Sequence, residues 1–259
     1  MVERPVRADV AGGQLQGAYT RVDGARRGAI VLGPHSKMGG SMDDPVVLCC
    51  AAALTAAGFS TLRLNPRGAG SSAGSATWGG GDEVGDVLAA CLWLRERGGI
   101  DYEAKASQGL PTVLPLVLAG YSMGGSIVGA AAAAVTAGQA AGVSCAGTVQ
   151  IAPPWGSLAS FFISGALYTR SLESRPLRRL VIGGDADQWT GASTFQRSAA
   201  ALPYPKEEGG SVAIGQLPPM VCKILPRCDH FFRNADSLQA VGVAVDEFAR
   251  ALSRDNDRL

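Results

Sequence analysis

The feature that most constrains this chain is one continuous run, Leu116–Val117–Leu118–Ala119–Gly120–Tyr121–Ser122–Met123–Gly124–Gly125–Ser126–Ile127–Val128. A short apolar stretch enters Gly-x-Ser-x-Gly, and an alanine-rich apolar stretch leaves it. Short apolar runs bounded by glycine suit buried strands, and longer ones suit buried helices. The segment therefore predicts a strand, a sharp turn and a helix, with Ser122 at the apex. Such a turn lifts the hydroxyl above the end of a sheet. It also leaves the next backbone N–H, that of Met123, facing a reacting carbonyl. A nucleophilic serine is the first expectation.

The five-residue pattern is not sufficient alone, because with 35 glycines in 259 residues it occurs twice. The second copy, Gly70–Ser71–Ser72–Ala73–Gly74, lies in a Gly, Ser and Ala stretch with no strand before it and no helical pattern directly after it. Nothing there would strain the backbone to present a side chain. Ser122 is the candidate, and Ser72 is read as a loop residue.

The rest of the chain predicts the sheet that this turn needs. Gly13–Val22 alternates enough for an early strand, antiparallel at the sheet edge, and Ala29–Val31 is a second strand rising into a turn-rich loop, Gly33–Gly40. Pro45–Gly58 reads as a helix with Asp43 or Asp44 as its cap and Gly58 at its end. Phe59–Asn65 is a strand, and Asp82–Arg97 has helical spacing with acidic residues in its first turn. After the central turn come strands at Gly147–Ile151, at Arg179–Ile182 (ended by Gly183–Gly184) and at Met220–Leu225. Leu238–Leu252 is a closing amphipathic helix. This alternation predicts an α/β fold with a mainly parallel sheet and helices on both faces. No Pro-rich or charged linker interrupts it, so one domain is expected over residues 1–259, with a core of roughly 10–252.

Composition excludes several functions. The apolar fraction of 47% can supply a core, and a net charge of +1 without a basic cluster argues against nucleic acid. Met1–Arg7 is too charged to open a signal peptide, and the apolar stretches fall short of a membrane span. A cytoplasmic location is expected. The six cysteines show no disulfide framework, and reduced cysteine is the expectation. Cys222, Cys228 and His230 lack zinc-site spacing, and strand burial accounts better for Cys222. Neither a metal nor a cofactor is expected.

In open α/β sheets, function collects in loops beyond the carboxyl ends of the strands. Ser122, Asp187 and His230 all fall at such ends. A serine hydroxyl needs a base, usually histidine, held in one tautomer by a carboxylate. The only histidines are His35 and His230. His230 follows the last strand and precedes the apolar Phe231–Phe232. In chain order the three are serine, aspartate and histidine, the order known for triads whose serine sits on a Gly-x-Ser-x-Gly turn. Asp185 is a rival acid, or a turn former bonding nearby N–H groups. Asp229 adjoins His230 too closely to reach its ring and is expected to brace the loop. A developing oxyanion needs two donors. Met123 N–H is one. The other comes from the loop after Ala29–Val31, where Pro34 has no N–H, so His35 or Ser36 must supply it.

Several separated motifs together resemble a known family. They are Gly33–Pro34–His35 with Gly39–Gly40–Ser41–Met42–Asp43, Leu62–Ser71, Gly120–Gly125, Gly184–Asp187 and Asp229–Phe232. In order they resemble the small, lidless α/β-hydrolases near the dienelactone hydrolases, over roughly residues 10 to 250. Members commonly carry His-Pro-His-Pro in the first loop, where this chain has Gly33 and Ser36 in place of the first histidine and the last proline. The resemblance implies the α/β-hydrolase fold without a large cap domain, with Ser122 as nucleophile, Asp187 as acid and His230 as base. It makes Arg67 structural, paired with Asp82 or Asp86.

A small-molecule acyl substrate follows, an ester or thioester of small or medium size. A peptidase and a non-catalytic binding protein of the same fold are the alternatives. Ser36, Trp155 and Phe161, together with Phe162 and Tyr168, are the candidate pocket residues. Neither a nucleic-acid partner nor an oligomeric state is indicated by the residues.

Overall fold

The computed structural model describes residues 2–101, 113–156, 165–175, 177–204 and 220–256. Eight strands form one sheet. They are β1 Glu3–Val10, β2 Gly13–Thr20, β3 Gly28–Leu32, β4 Ser60–Leu64, β5 Leu114–Tyr121, β6 Val143–Ile151, β7 Arg178–Gly184 and β8 Met220–Leu225. Their spatial order is β1-β2-β4-β3-β5-β6-β7-β8. The β1–β2 and β2–β4 pairs are antiparallel, and the pairs from β4 onward are parallel.

The strand expected at the edge is therefore one place inside it. Glu3–Val10 forms the edge, although its charged and proline-containing sequence has little strand character. Partners explain this: β1 pairs along the whole of β2, and Glu3 meets the buried Arg63 of β4 at 2.8 Å. Proline is tolerated there because an edge strand leaves some of its N–H groups unused.

Six helices cover the sheet among the described residues: α1 Pro45–Ala56, α2 Gly81–Arg97, α3 Met123–Thr136, α4 Gly165–Ser171, α5 Ala192–Ala201 and α6 Ala235–Asn256. Alternation along the central strand sorts the core into two layers, because successive side chains point to opposite faces. Leu114, Leu116 and Leu118 of β5 join α2 and α3 on one face. Val117, Ala119 and Tyr121 join α1 and α6 on the other. Helix α3 is buried almost all round, which its run of alanines permits in a crowded layer. No helix among the described residues is long and apolar enough to cross a membrane.

Two local expectations change. Strand β7 runs on through Gly183 and Gly184 because both continue its pairing with β8. Cys222 is exposed, on the strand β8 at the far edge of the sheet.

Candidate active site

The turn after β5 has the strained geometry its sequence calls for. Ser122 stands at φ 54° and ψ −127°, a conformation that residues with a Cβ seldom adopt. Close packing holds it there. A Cβ at Gly120 would collide with the Gly124 carbonyl, and one at Gly124 would lie 2.5 Å from the Gly33 carbonyl oxygen. The flanking glycines are thus needed for close approach, while the serine itself takes the strain. Its N–H is anchored on the Ile151 carbonyl of β6 at 2.8 Å.

Strain recurs around the same end of the sheet. The non-glycine residues with positive φ among those described are Ser122, Ala152, Arg227 and Phe232. They follow β5, β6 and β8. Unfavourable backbone of this kind persists only where its surroundings over-determine it, and it concentrates at functional sites.

Three side chains from three strand ends meet here. Ser122 Oγ lies 2.9 Å from His230 Nε2, and His230 Nδ1 lies 2.9 Å from Asp187 Oδ2. His230 and Asp187 are buried, while Ser122 is half-buried. The second carboxylate oxygen of Asp187 accepts the N–H groups of Trp189 and Thr190 at 2.7 and 3.0 Å. One oxygen is therefore fixed by the turn, and the other is left to face the ring. The role of bonding turn N–H groups, assigned above to Asp185, belongs to Asp187. The Asp185 side chain is exposed, and its own N–H bonds the Leu225 carbonyl at 3.0 Å.

The histidine loop is set by its neighbours. Ala186 N–H bonds the Cys228 carbonyl at 3.1 Å, and a Cβ at Gly184 would strike that carbonyl. Tyr121 donates its hydroxyl to the His230 carbonyl at 2.8 Å. Burial pushes the Tyr121 phenol well up, which keeps it a donor. The Gln188 side chain accepts the His230 N–H at 3.3 Å. Asp229 bonds Phe231 N–H at 3.1 Å and Arg233 at 3.2 Å, the bracing expected of it.

A cavity of about 110 Å³ opens over Ser122. Pro34, Met38, Pro154, Trp189 and Phe231 give it apolar walls, and His35, Asp44, Met123 and His230 also line it. His35 and Met123 thus sit on the same cavity as Ser122. The first N–H groups of a helix have no partner within it, and Met123 opens α3. His35 is buried. Its Nδ1 accepts the Lys37 N–H at 3.1 Å, and burial pushes its pKa down, so the ring is neutral with the proton on Nε2.

Ser36 and Trp155 are not in that wall. Ser36 Oγ donates to the Arg67 carbonyl at 2.8 Å. Trp155 is buried in a satellite cluster, stacked on Phe195 at 5.7 Å with Tyr168 beside it at 5.4 Å. Phe161 and Phe162 lie outside the described residues. The aromatic wall is supplied instead by Trp189 and Phe231, which flank Asp187 and His230 in sequence. Their adjacency in sequence to those two residues was the available signal.

A clamp on the first loop also escaped sequence reasoning. Met42 N–H donates to Asn65 Oδ1 at 2.7 Å, and its carbonyl accepts from Arg63 at 2.6 Å. Arg63 and Asn65 are buried. Polar residues in the otherwise apolar run Leu62–Asn65 were the clue. Arg67 next to them bonds Asp86 at 2.6 and 2.8 Å and Asp82 at 3.0 Å. Asp86 is buried, so losing the Arg67 fork is costly because it strands that charge. Among the described residues no group of three or more His, Cys, Asp or Glu could hold a metal ion.

No protein-family model and no curated protein matches the chain. Solved structures do. A lidless α/β serine hydrolase from Xanthomonas campestris shares 26% identity, with a TM-score of 0.69 over 96% of this chain and 94% of its own. An α/β hydrolase of unknown function from Agrobacterium tumefaciens shares 24%, with a TM-score of 0.72 over 97% and 98%. Dienelactone hydrolase from Anabaena variabilis shares 18%, with a TM-score of 0.64 over 95% and 96%. The fold is the α/β-hydrolase fold, and the structural neighbours include an α/β serine hydrolase without a lid and a dienelactone hydrolase.

Proposed function

We propose that this protein is a serine hydrolase that cleaves small or medium acyl esters or thioesters through an acyl-Ser122 intermediate. The observation that carries the reading is the continuous relay Ser122 Oγ–His230 Nε2 and His230 Nδ1–Asp187 Oδ2, each step 2.9 Å.

Ser122 Oγ adds to the acyl carbon while His230 Nε2 takes its proton, and Asp187 stabilises the imidazolium that forms. The tetrahedral oxyanion is received by the N–H groups of Met123 and, in this reading, His35. Collapse expels the alcohol or thiol, which leaves with the proton from Nε2. Water then attacks the acyl-enzyme with His230 again as base, releasing the carboxylic acid and restoring Ser122. Apolar walls around a cavity of about 110 Å³ support a short or medium acyl group.

The test is a panel of p-nitrophenyl esters of increasing acyl length, assayed with the wild type and with Ser122→Ala. Turnover falling off with longer chains, and lost in the variant, is the expected result. Equal turnover by the two enzymes would overturn the proposal.

A further inference from the structure

The cavity over Ser122 is lined by one carboxylate residue, which the acyl-transfer reading leaves unused. Asp44 lines it, in the loop that leads from the first strand-end turn into α1. The carboxylate caps that helix, accepting the Val46 N–H at 2.8 Å. Capping explains an acceptor at this position, but asparagine or serine caps about as well as aspartate. A carboxylate also suits the positive end of the helix, but neither interaction requires the capping residue to border the cavity over Ser122.

The surroundings sharpen the point. Asp44 is half-buried, and burial pushes its carboxyl above the usual range, against the backbone N–H groups of Val46 and Val47, which favour the charged form. Of the other titratable residues in the wall besides His230, His35 has its pKa pushed down by burial and Tyr121 has its phenol pushed up by burial. The nearby cations are engaged elsewhere. Lys37 lies over the Trp78 ring at 5.5 Å, and Arg233 lies over Phe231 at 4.7 Å while paired with Asp229. Neither contributes to the wall of the cavity. The wall thus carries an aspartate and no lysine or arginine. A partly desolvated anion attracts a cation strongly and repels another anion, and charge placed this way discriminates between ligands.

We propose that Asp44 makes the cavity charge-selective: it favours esters or thioesters bearing an ammonium group a few bonds from the acyl carbon, and it rejects those bearing a carboxylate there. The inference rests on the acyl-transfer reading. It assigns Asp44 a specificity role, with the reaction itself left to Ser122, His230 and Asp187.

Three acetate esters of matched size test it: acetylcholine, its neutral carbon analogue 3,3-dimethylbutyl acetate, and 4-acetoxybutyrate. kcat/KM for each is measured with the wild type, Asp44→Asn and Asp44→Ser, both variants retaining a cap. In the wild type the order is cationic, neutral, anionic. The cationic-to-anionic ratio is expected to drop by about tenfold in both variants, and to narrow in the wild type as salt is raised. A ratio that is the same in all three enzymes overturns the role of Asp44, while turnover of the neutral ester leaves the acyl-transfer reading standing. Failure of the wild type to hydrolyse any of the three overturns that reading and this inference together.

Discussion

The two Gly-x-Ser-x-Gly segments share a pattern and almost nothing else. In the copy around Ser122, the serine takes the positive φ and the glycines serve close packing. In the copy around Ser72, positive φ falls on Gly70 and Gly74, at 54° and 80°, and the serine is relaxed. Ser122 Oγ faces an imidazole over a cavity. Ser72 Oγ is buried between backbone groups, donating to the Asn65 carbonyl at 3.0 Å and accepting the Gln16 N–H at 2.9 Å. One hydroxyl is presented and the other is consumed. Between the two copies, strain on the serine itself goes with a presented hydroxyl, whereas the spacing of glycines does not tell them apart.

The contrast can be broken most decisively by removing each hydroxyl in turn. Ser122→Ala is expected to lower kcat by about 10⁴-fold or more, since the members of such a relay act as a unit. Ser72→Ala is expected to keep kcat, measured on the same ester. Comparable losses in both would erase the distinction.

A second pair tests whether the relay extends to the right carboxylate. Asp187→Asn preserves shape but favours the wrong histidine tautomer, a change worth about 10⁴-fold in kcat in serine proteases. Asp185 is exposed two residues away, and Asp185→Asn should leave both kcat and the thermal midpoint nearly unchanged. Loss of turnover in a folded Asp185→Asn enzyme would move the acid.

Stability should reverse the ranking of the two serines, with smaller effects. Ser72→Ala leaves the buried Asn65 carbonyl and the half-buried Gln16 N–H without their partner, at a cost of about 1–3 kcal/mol. Its thermal midpoint should fall by several degrees. Ser122→Gly removes the penalty of a side chain at φ 54° and is expected to raise stability by about 1 kcal/mol while abolishing turnover. Calorimetry on the two variants checks the reversal. A destabilised Ser122→Gly protein would mean that the turn is not strained.

The same contrast explains how much was legible in the sequence. The segment around Ser122 could be read because strand, turn and helix each leave a local trace, and the chain order of serine, aspartate and histidine follows the strand ends. The parallel core could be read for the same reason, from apolar runs separated by glycine. What escaped depends on partners distant in sequence. The edge position of β1 rests on pairing with β2 and on the Glu3–Arg63 bridge. Trp155 packs inward on Phe195, a residue of a helix that no apolar repeat announced. The turn-bonding role of Asp187 arises because its side chain folds back on Trp189 and Thr190, which the spacing of Asp185 and Asp187 does not reveal.

The most direct test of the central claim is covalent labelling of the native protein with a fluorophosphonate, read by intact mass and peptide mapping. Attack by a serine hydroxyl on phosphorus expels fluoride and leaves a stable phosphonate ester that records which oxygen is nucleophilic. A single adduct on the peptide containing Ser122, absent in Ser122→Ala and unaffected in Ser72→Ala, is the predicted result. An unlabelled native protein, or an adduct carried by any other residue, would contradict the assignment of Ser122 as the nucleophile.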